Sequence, residues 1–109
     1  MKFKHKFHAK PTTFNNRKYS SKLEASYAQK LEIAKRSGAL LFYLEQVPLR
    51  LEGGIKYIID FVEFWAPKEG EEFGDIIWTE VKGLDLQVGK NKRLQAEERY
   101  PITINVVRK

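Results

Sequence analysis

The chain has 109 residues, 42% hydrophobic and 31% charged, with no cysteine and a formal net charge of +6. That length suits one compact domain with a real core, and the absence of thiols excludes disulfides, thiolate zinc sites and cysteine nucleophiles while fitting a reducing cytosol. No apolar run approaches the roughly 20 residues that span a bilayer, and the basic start lacks the apolar stretch of a secretory signal, so a soluble cytoplasmic protein with no membrane partner is expected.

The charge is distributed unevenly. Residues 1 to 22 carry seven basic side chains (Lys2, Lys4, Lys6, Lys10, Arg17, Lys18 and Lys22) and no acid, which leaves −1 for the rest. This divides the chain into a basic N-terminal arm, residues 1–19, and a folded domain, residues 20–109. Lys4, Lys6, Lys10, Arg17 and Lys18 are candidate contacts to a phosphate backbone, with binding made salt-sensitive by counterion release. The arm also holds Phe3, Phe7 and Phe14, and its His5 and His8 suit phosphate contact better than metal ligation. An arm that orders on DNA is the expectation.

From Ser20 or Ser21 to Ser37, Leu23, Tyr27, Leu31 and Ala34 recur at helical spacing, and Gly38 is a natural stop. Residues Ala39 to Val47 read as a strand, Pro48 as an edge or kink, and Leu49 to Leu51 as its continuation before a Gly53-Gly54 turn. Its hairpin partner runs from Lys56 to Trp65. Pro67 to Gly74, rich in charge and glycine, reads as a loop, and Asp75 to Val81 as the next strand. A second helix is expected from Gly89 to Tyr100, stopped by Pro101, and a last strand from Ile102 to Val107. The order is α-β-β-β-α-β. A strand reached through a helical crossover pairs parallel to its predecessor, so the sheet is mixed and flanked by helices, an α/β (α+β) class.

Three segments place charge inside otherwise apolar patterns: Lys22-Leu23-Glu24-Ala25, Tyr57-Ile58-Ile59-Asp60-Phe61 and Trp78-Thr79-Glu80-Val81-Lys82-Gly83. The two-residue offset puts Glu80 and Lys82 on one face of a strand and Val81 on the other. Asp60 interrupts an apolar run, where an unpaired carboxylate is costly. Magnesium takes hard oxygen ligands, often one or two carboxylates, and keeps waters and substrate phosphate as its other partners. Asp60 and Glu80 suit that role. Glu24 has a competing use, because Ser21-Lys22-Leu23-Glu24 has the form of a capping box. Lys90, Lys92 and Arg93 open the second helix, where amides and dipole also favour an anion, and are further DNA-backbone candidates. Gln46 stays outside the expected set, since a glutamine on a half-exposed strand is unremarkable.

An acid on one strand followed by Glu-X-Lys on the next resembles the PD-(D/E)XK nuclease superfamily, whose core is restriction-endonuclease-like. Ser21-Lys22-Leu23-Glu24, Glu45-Gln46-Val47-Pro48, Asp60-Phe61 and Glu80-Val81-Lys82-Gly83, spread over residues 14 to 107, resemble the phage endonuclease I family of Holliday-junction resolvases. Ile59 stands where the superfamily pattern has proline, and the loop from Pro67 to Gly74 widens the gap between Asp60 and Glu80, which a longer hairpin would absorb. The resemblance implies Glu24, Asp60, Glu80 and Lys82 as catalytic residues. The three acids would hold one or two Mg2+ ions, with Mn2+ as a substitute, and Lys82 would stand at the attacking water. The Val81 carbonyl is a further candidate ligand. The implied function is a structure-selective DNA endonuclease resolving four-way junctions, acting as a homodimer because a junction offers two symmetric strands to cut. The alternatives are an endonuclease of the same superfamily without junction specificity, and a non-catalytic nucleic-acid-binding phage protein.

Overall fold

A computed structural model of the chain describes residues 12–15, 17–84 and 86–108. Two short strands come first, β1 (Thr12–Phe14) and β2 (Arg17–Tyr19), paired antiparallel around Asn15, whose φ is 54°. Helix α1 (Lys22–Ser37) follows, then β3 (Leu40–Arg50), β4 (Lys56–Trp65) and β5 (Ile76–Lys82), helix α2 (Gln87–Arg99) and β6 (Ile104–Arg108). The mixed α/β class and the order α-β-β-β-α-β are thus present, with an unanticipated hairpin in front. The segment expected to end a loose arm is instead folded at Thr12–Tyr19. Tyr19 is 5% exposed within the core under α1, because its ring stacks 6.5 Å from Phe61. Lys4, Lys6 and Lys10 lie outside the described residues.

Helix α1 begins and ends as its sequence predicts. The Ser21 hydroxyl accepts the Glu24 N–H at 3.1 Å, and Gly38, at φ 87°, closes the last turn with its N–H on the Ala34 and Lys35 carbonyls. The four main strands form one sheet in the order β3-β4-β5-β6; β3, β4 and β5 are antiparallel, and β6 runs parallel to β5. Helix α1 packs on one face, burying its Ala25, Ala28 and Leu31 in one cluster with Leu40 and Phe61 of the sheet. Helix α2 lies on the other, where Ala96 meets Tyr57, Ile59, Val62 and Ile104. Pro48 does not break β3, whose position at the sheet edge can carry a residue without an N–H. Ile59 is fully buried in the second cluster.

One irregularity in the β3–β4 hairpin sets up the site. Residues two apart on a strand share a face, yet Ile59 packs under α2 and Phe61 under α1. Opposite them, Tyr43 belongs to the α1 side and Val47 to the α2 side. Both strands exchange faces at the level of Gln46 and Asp60, between the pairs Glu45↔Phe61 and Val47↔Ile59, and Gln46 takes φ 53°. Asp60 therefore stands where the strand turns over, between the two cores. Among the described residues no helix is long and apolar enough to cross a membrane.

Candidate active site

Three elements bring polar side chains to the turnover point. Glu24 lies in the first turn of α1 and is 5% exposed. Its carboxylate accepts the Ser20 hydroxyl at 2.6 Å and the Gln46 amide at 3.2 Å. The capping box is therefore half used: Ser21 caps the helix, and the glutamate carboxylate reaches toward β3 instead. Gln46 Nε2 also lies 3.4 Å from Asp60 Oδ1, while Asp60 Oδ2 accepts the Val81 N–H at 2.8 Å. Lys18, Tyr19 and Glu45 complete a cleft of about 330 Å³ around this group.

The Glu80-Val81-Lys82 segment passes beside Asp60 and divides its side chains as the strand alternation predicts. Val81 packs on the α1 side; Glu80 and Lys82 face α2 and line a second cleft. Glu80 is 2% exposed and claimed at both oxygens, with Lys82 Nζ 3.5 Å from Oε1 and Arg93 Nη1 2.7 Å from Oε2. Such a buried carboxylate is tolerable only because two cations answer it.

Among the described residues Asp60 has no such cation in ion-pair contact. Burial and the nearby Glu24 and Glu80 charges push its pKa up to about 6, although the Val81 N–H and Gln46 amide pull the other way. Two further carboxylates beside the buried Asp60 leave negative charge that a hard divalent cation would relieve, so the donor chemistry at Asp60 and Glu24 fits magnesium. In a strand the N–H and C=O of one residue share an edge, which turns the Val81 carbonyl toward Asp60 as well. Among the described residues, however, no three acidic, histidine or cysteine side chains already converge into a metal cage. Glu24 and Asp60 share one cleft, and Glu80 with Lys82 lines the other.

The expected DNA contacts separate into three groups. Arg17 is 3.2 Å from Glu45, which also accepts the Tyr19 hydroxyl, so this arginine helps anchor the hairpin to β3. Lys18 lines the acidic cleft, while Lys90 and Lys92 lie on the first turns of α2. Arg93 departs from its expected role. Its side chain is 12% exposed and bound to Glu80, because α2 turns it inward against β5. Sequence reasoning also missed Gln46, the amide that links Glu24 to Asp60; its available signal was its position in Glu45-Gln46-Val47-Pro48, opposite Asp60 in the hairpin register.

Fold and site together define a small mixed-sheet α/β domain whose sheet carries an acidic site at a strand turnover. No protein-family model, curated protein or solved structure matches the chain.

Proposed function

We propose that the protein is a magnesium-dependent endonuclease that hydrolyses phosphodiester bonds of branched DNA, with the four-way junction as its substrate. The observation that carries this reading is the meeting of Glu24 from α1, Gln46 from β3 and Asp60 from β4 in one cleft, with Asp60 bonded to the backbone of the Glu80-Val81-Lys82 strand. Asp60, Glu80, Glu24 and the Val81 carbonyl are the expected ligands of Mg2+, for which Mn2+ would substitute. That ion, when bound, supplies Lewis-acid activation of water and neutralises charge on the scissile phosphate.

The chain's own groups do the rest. Gln46 holds Glu24 and Asp60 in a common orientation, and Arg93 holds Glu80. Lys82, with its side chain 34% exposed beside Glu80, would orient the attacking water or stabilise charge on the phosphate. The basic segment before α1, which includes Lys18 at the cleft, supplies the attraction for the DNA backbone. A homodimer would present two such sites to the two symmetric strands of a junction, and exposed Leu41, Phe42 and Leu44 on β3 offer apolar surface for a second copy.

The test is a gel assay with a labelled synthetic four-way junction, excess linear duplex, and either magnesium or chelator. Paired symmetric nicks in magnesium alone support the proposal. Cutting of the linear competitor keeps the metal site and discards junction selectivity. A tight shift without cleavage in any metal points to a binding protein instead.

A further inference from the structure

We propose that Ser20 is a positioning residue of the acidic cleft: its hydroxyl diverts the Glu24 carboxylate from the start of α1, where a capping box would hold it, into the cleft beside Asp60. This role rests on the metal-dependent reading proposed above, and it gives the short hairpin in front of α1 the task of building one wall of the site.

Ser20 and Ser21 divide two tasks at one glutamate. Ser21 is the N-cap, and its hydroxyl accepts the Glu24 N–H at 3.1 Å. In a full capping box the Glu24 carboxylate would return to the Ser21 N–H, where the positive end of the helix dipole also favours it. Instead Glu24 Oε1 accepts the Ser20 hydroxyl at 2.6 Å, and Oε2 accepts the Gln46 amide at 3.2 Å. A hydroxyl bonded to a carboxylate at that length belongs to the stronger, charge-assisted class. Each oxygen of an ionised carboxylate has about two lone-pair sites, so with one donor on each, Glu24 keeps capacity for a cation.

Ser20 can hold the carboxylate because the chain on either side of it is fixed. Tyr19 is 5% exposed, stacks on Phe61 and donates its hydroxyl to Glu45 at 3.1 Å. On the other side the Ser21 carbonyl accepts the Ala25 N–H at 3.1 Å, in the first turn of α1. Arg17, 3.2 Å from Glu45, ties the same hairpin to β3 a second time. Ser20 itself is exposed at the rim of the cleft that it lines with Lys18, Glu24, Gln46 and Asp60. A side chain in that position fills no core. Water can replace its hydrogen bond to Glu24 energetically, but water does not fix the direction of the carboxylate.

The experiment is calorimetric titration of Mn2+ into the full chain at pH 8, with a thermal melt in chelator, for wild type, Ser20→Ala, Ser20→Thr and Ser21→Ala. Ser20→Ala is expected to bind Mn2+ about tenfold more weakly, the low end of what losing an outer partner of a ligand costs. Its melting temperature holds or rises, because the freed carboxylate can close the capping box. Ser20→Thr keeps the hydroxyl and binds like wild type. Ser21→Ala shows the opposite signature, a melting temperature lower by roughly five degrees from the lost cap with Mn2+ affinity unchanged. Unaltered affinity in Ser20→Ala, a loss that Ser20→Thr does not restore, or a melting temperature that falls in Ser20→Ala as far as in Ser21→Ala overturns the assignment. Wild type that takes up no Mn2+ overturns the metal reading and the role of Ser20 together. Wild type that binds Mn2+ but cuts no junction loses the endonuclease reading alone, and the titrations still decide Ser20.

Discussion

Asp60 and Glu63 sit three residues apart on β4, both carboxylates in an apolar run, and only their neighbours tell them apart. Glu63, 1% exposed, accepts the Tyr27 hydroxyl at 2.7 Å and the Trp65 indole at 3.0 Å, a sealed and neutral set of donors. Asp60 faces other carboxylates across an open cleft. The pattern of the sequence marked Asp60 through its link to Glu-X-Lys, but nothing in the spacing distinguishes a structural acid such as Glu63 from a site acid. Gln46 was only faintly legible, through its place in Glu45-Gln46-Val47-Pro48, for a similar reason: its importance comes from a left-handed φ of 53° and a cross-strand position, neither of which residue type alone reveals. Replacement by glycine suits that φ, so Gln46→Gly should keep its melting temperature within a few degrees while cleavage slows at least tenfold. An unimpaired rate in that variant would remove Gln46 from the site.

The raised pKa of Asp60 has a definite sign. Its folded value of about 6 exceeds the ordinary 3.8, so its contribution to stability is fully present below pH 3.8 and is lost as pH rises through about 6. The loss is on the order of 3 kcal/mol, roughly ten degrees in melting temperature for a chain of this size. A bound divalent cation needs the ionised carboxylate, so it opposes that loss. Magnesium or manganese should therefore raise the melting temperature more at pH 8 than at pH 5. Asp60→Asn, which keeps an acceptor for the Val81 N–H, should be the more stable protein at pH 8 without metal and should gain nothing when metal is added. Thermal melts of both proteins at the two pH values check this.

At the scale of elements, α1 and α2 are attached by different physics. Helix α1 buries Ala25, Ala28 and Leu31 and has both caps, and this helix was the most legible element in the sequence. Helix α2 buries Ala96 alone among its residues. It is tied down by polar contacts: Arg93 to Glu80 at 2.7 Å, the Ile104 N–H to Glu97 at 2.8 Å, and Arg99 to Glu52 at 2.7 Å. A helix held this way has weak apolar periodicity, which is why the sequence pattern starts it at Gly89 rather than Gln87 and shows Arg93 as a surface cation. Arg93→Leu should cost about 3–5 kcal/mol, because it leaves Glu80 buried with only the longer Lys82 contact. Glu80→Gln in the same chain should recover most of that loss. Chemical denaturation of the single and double variants measures the coupling, and a neutral Arg93→Leu would show that the pair is not what docks the helix.

For the whole molecule, one sheet is shared by two clefts, acidic toward α1 and lysine-lined toward α2, with the strand turnover at Asp60 between them. The sheet order and the parallel β5–β6 pair were legible because hairpin and crossover lengths constrain them. The face exchange was not, because binary patterning assumes unbroken alternation along a strand. The basic residues ahead of the domain set affinity rather than chemistry in this account. Removing residues 1–11 takes away Lys2, Lys4, Lys6 and Lys10, and should lower the salt slope of DNA binding by about 3.6 if each meets one phosphate, while leaving the metal dependence of cutting unchanged.

Whether Asp60 belongs to a metal site that cuts DNA is measured most directly by cleavage of an end-labelled four-way junction by wild type and Asp60→Asn, side by side in magnesium. Symmetric nicks are expected from the wild type and none from the variant, with junction binding by the variant as tight as wild type or tighter. Equal cleavage by the two proteins, or cleavage that persists in chelator, would contradict that assignment.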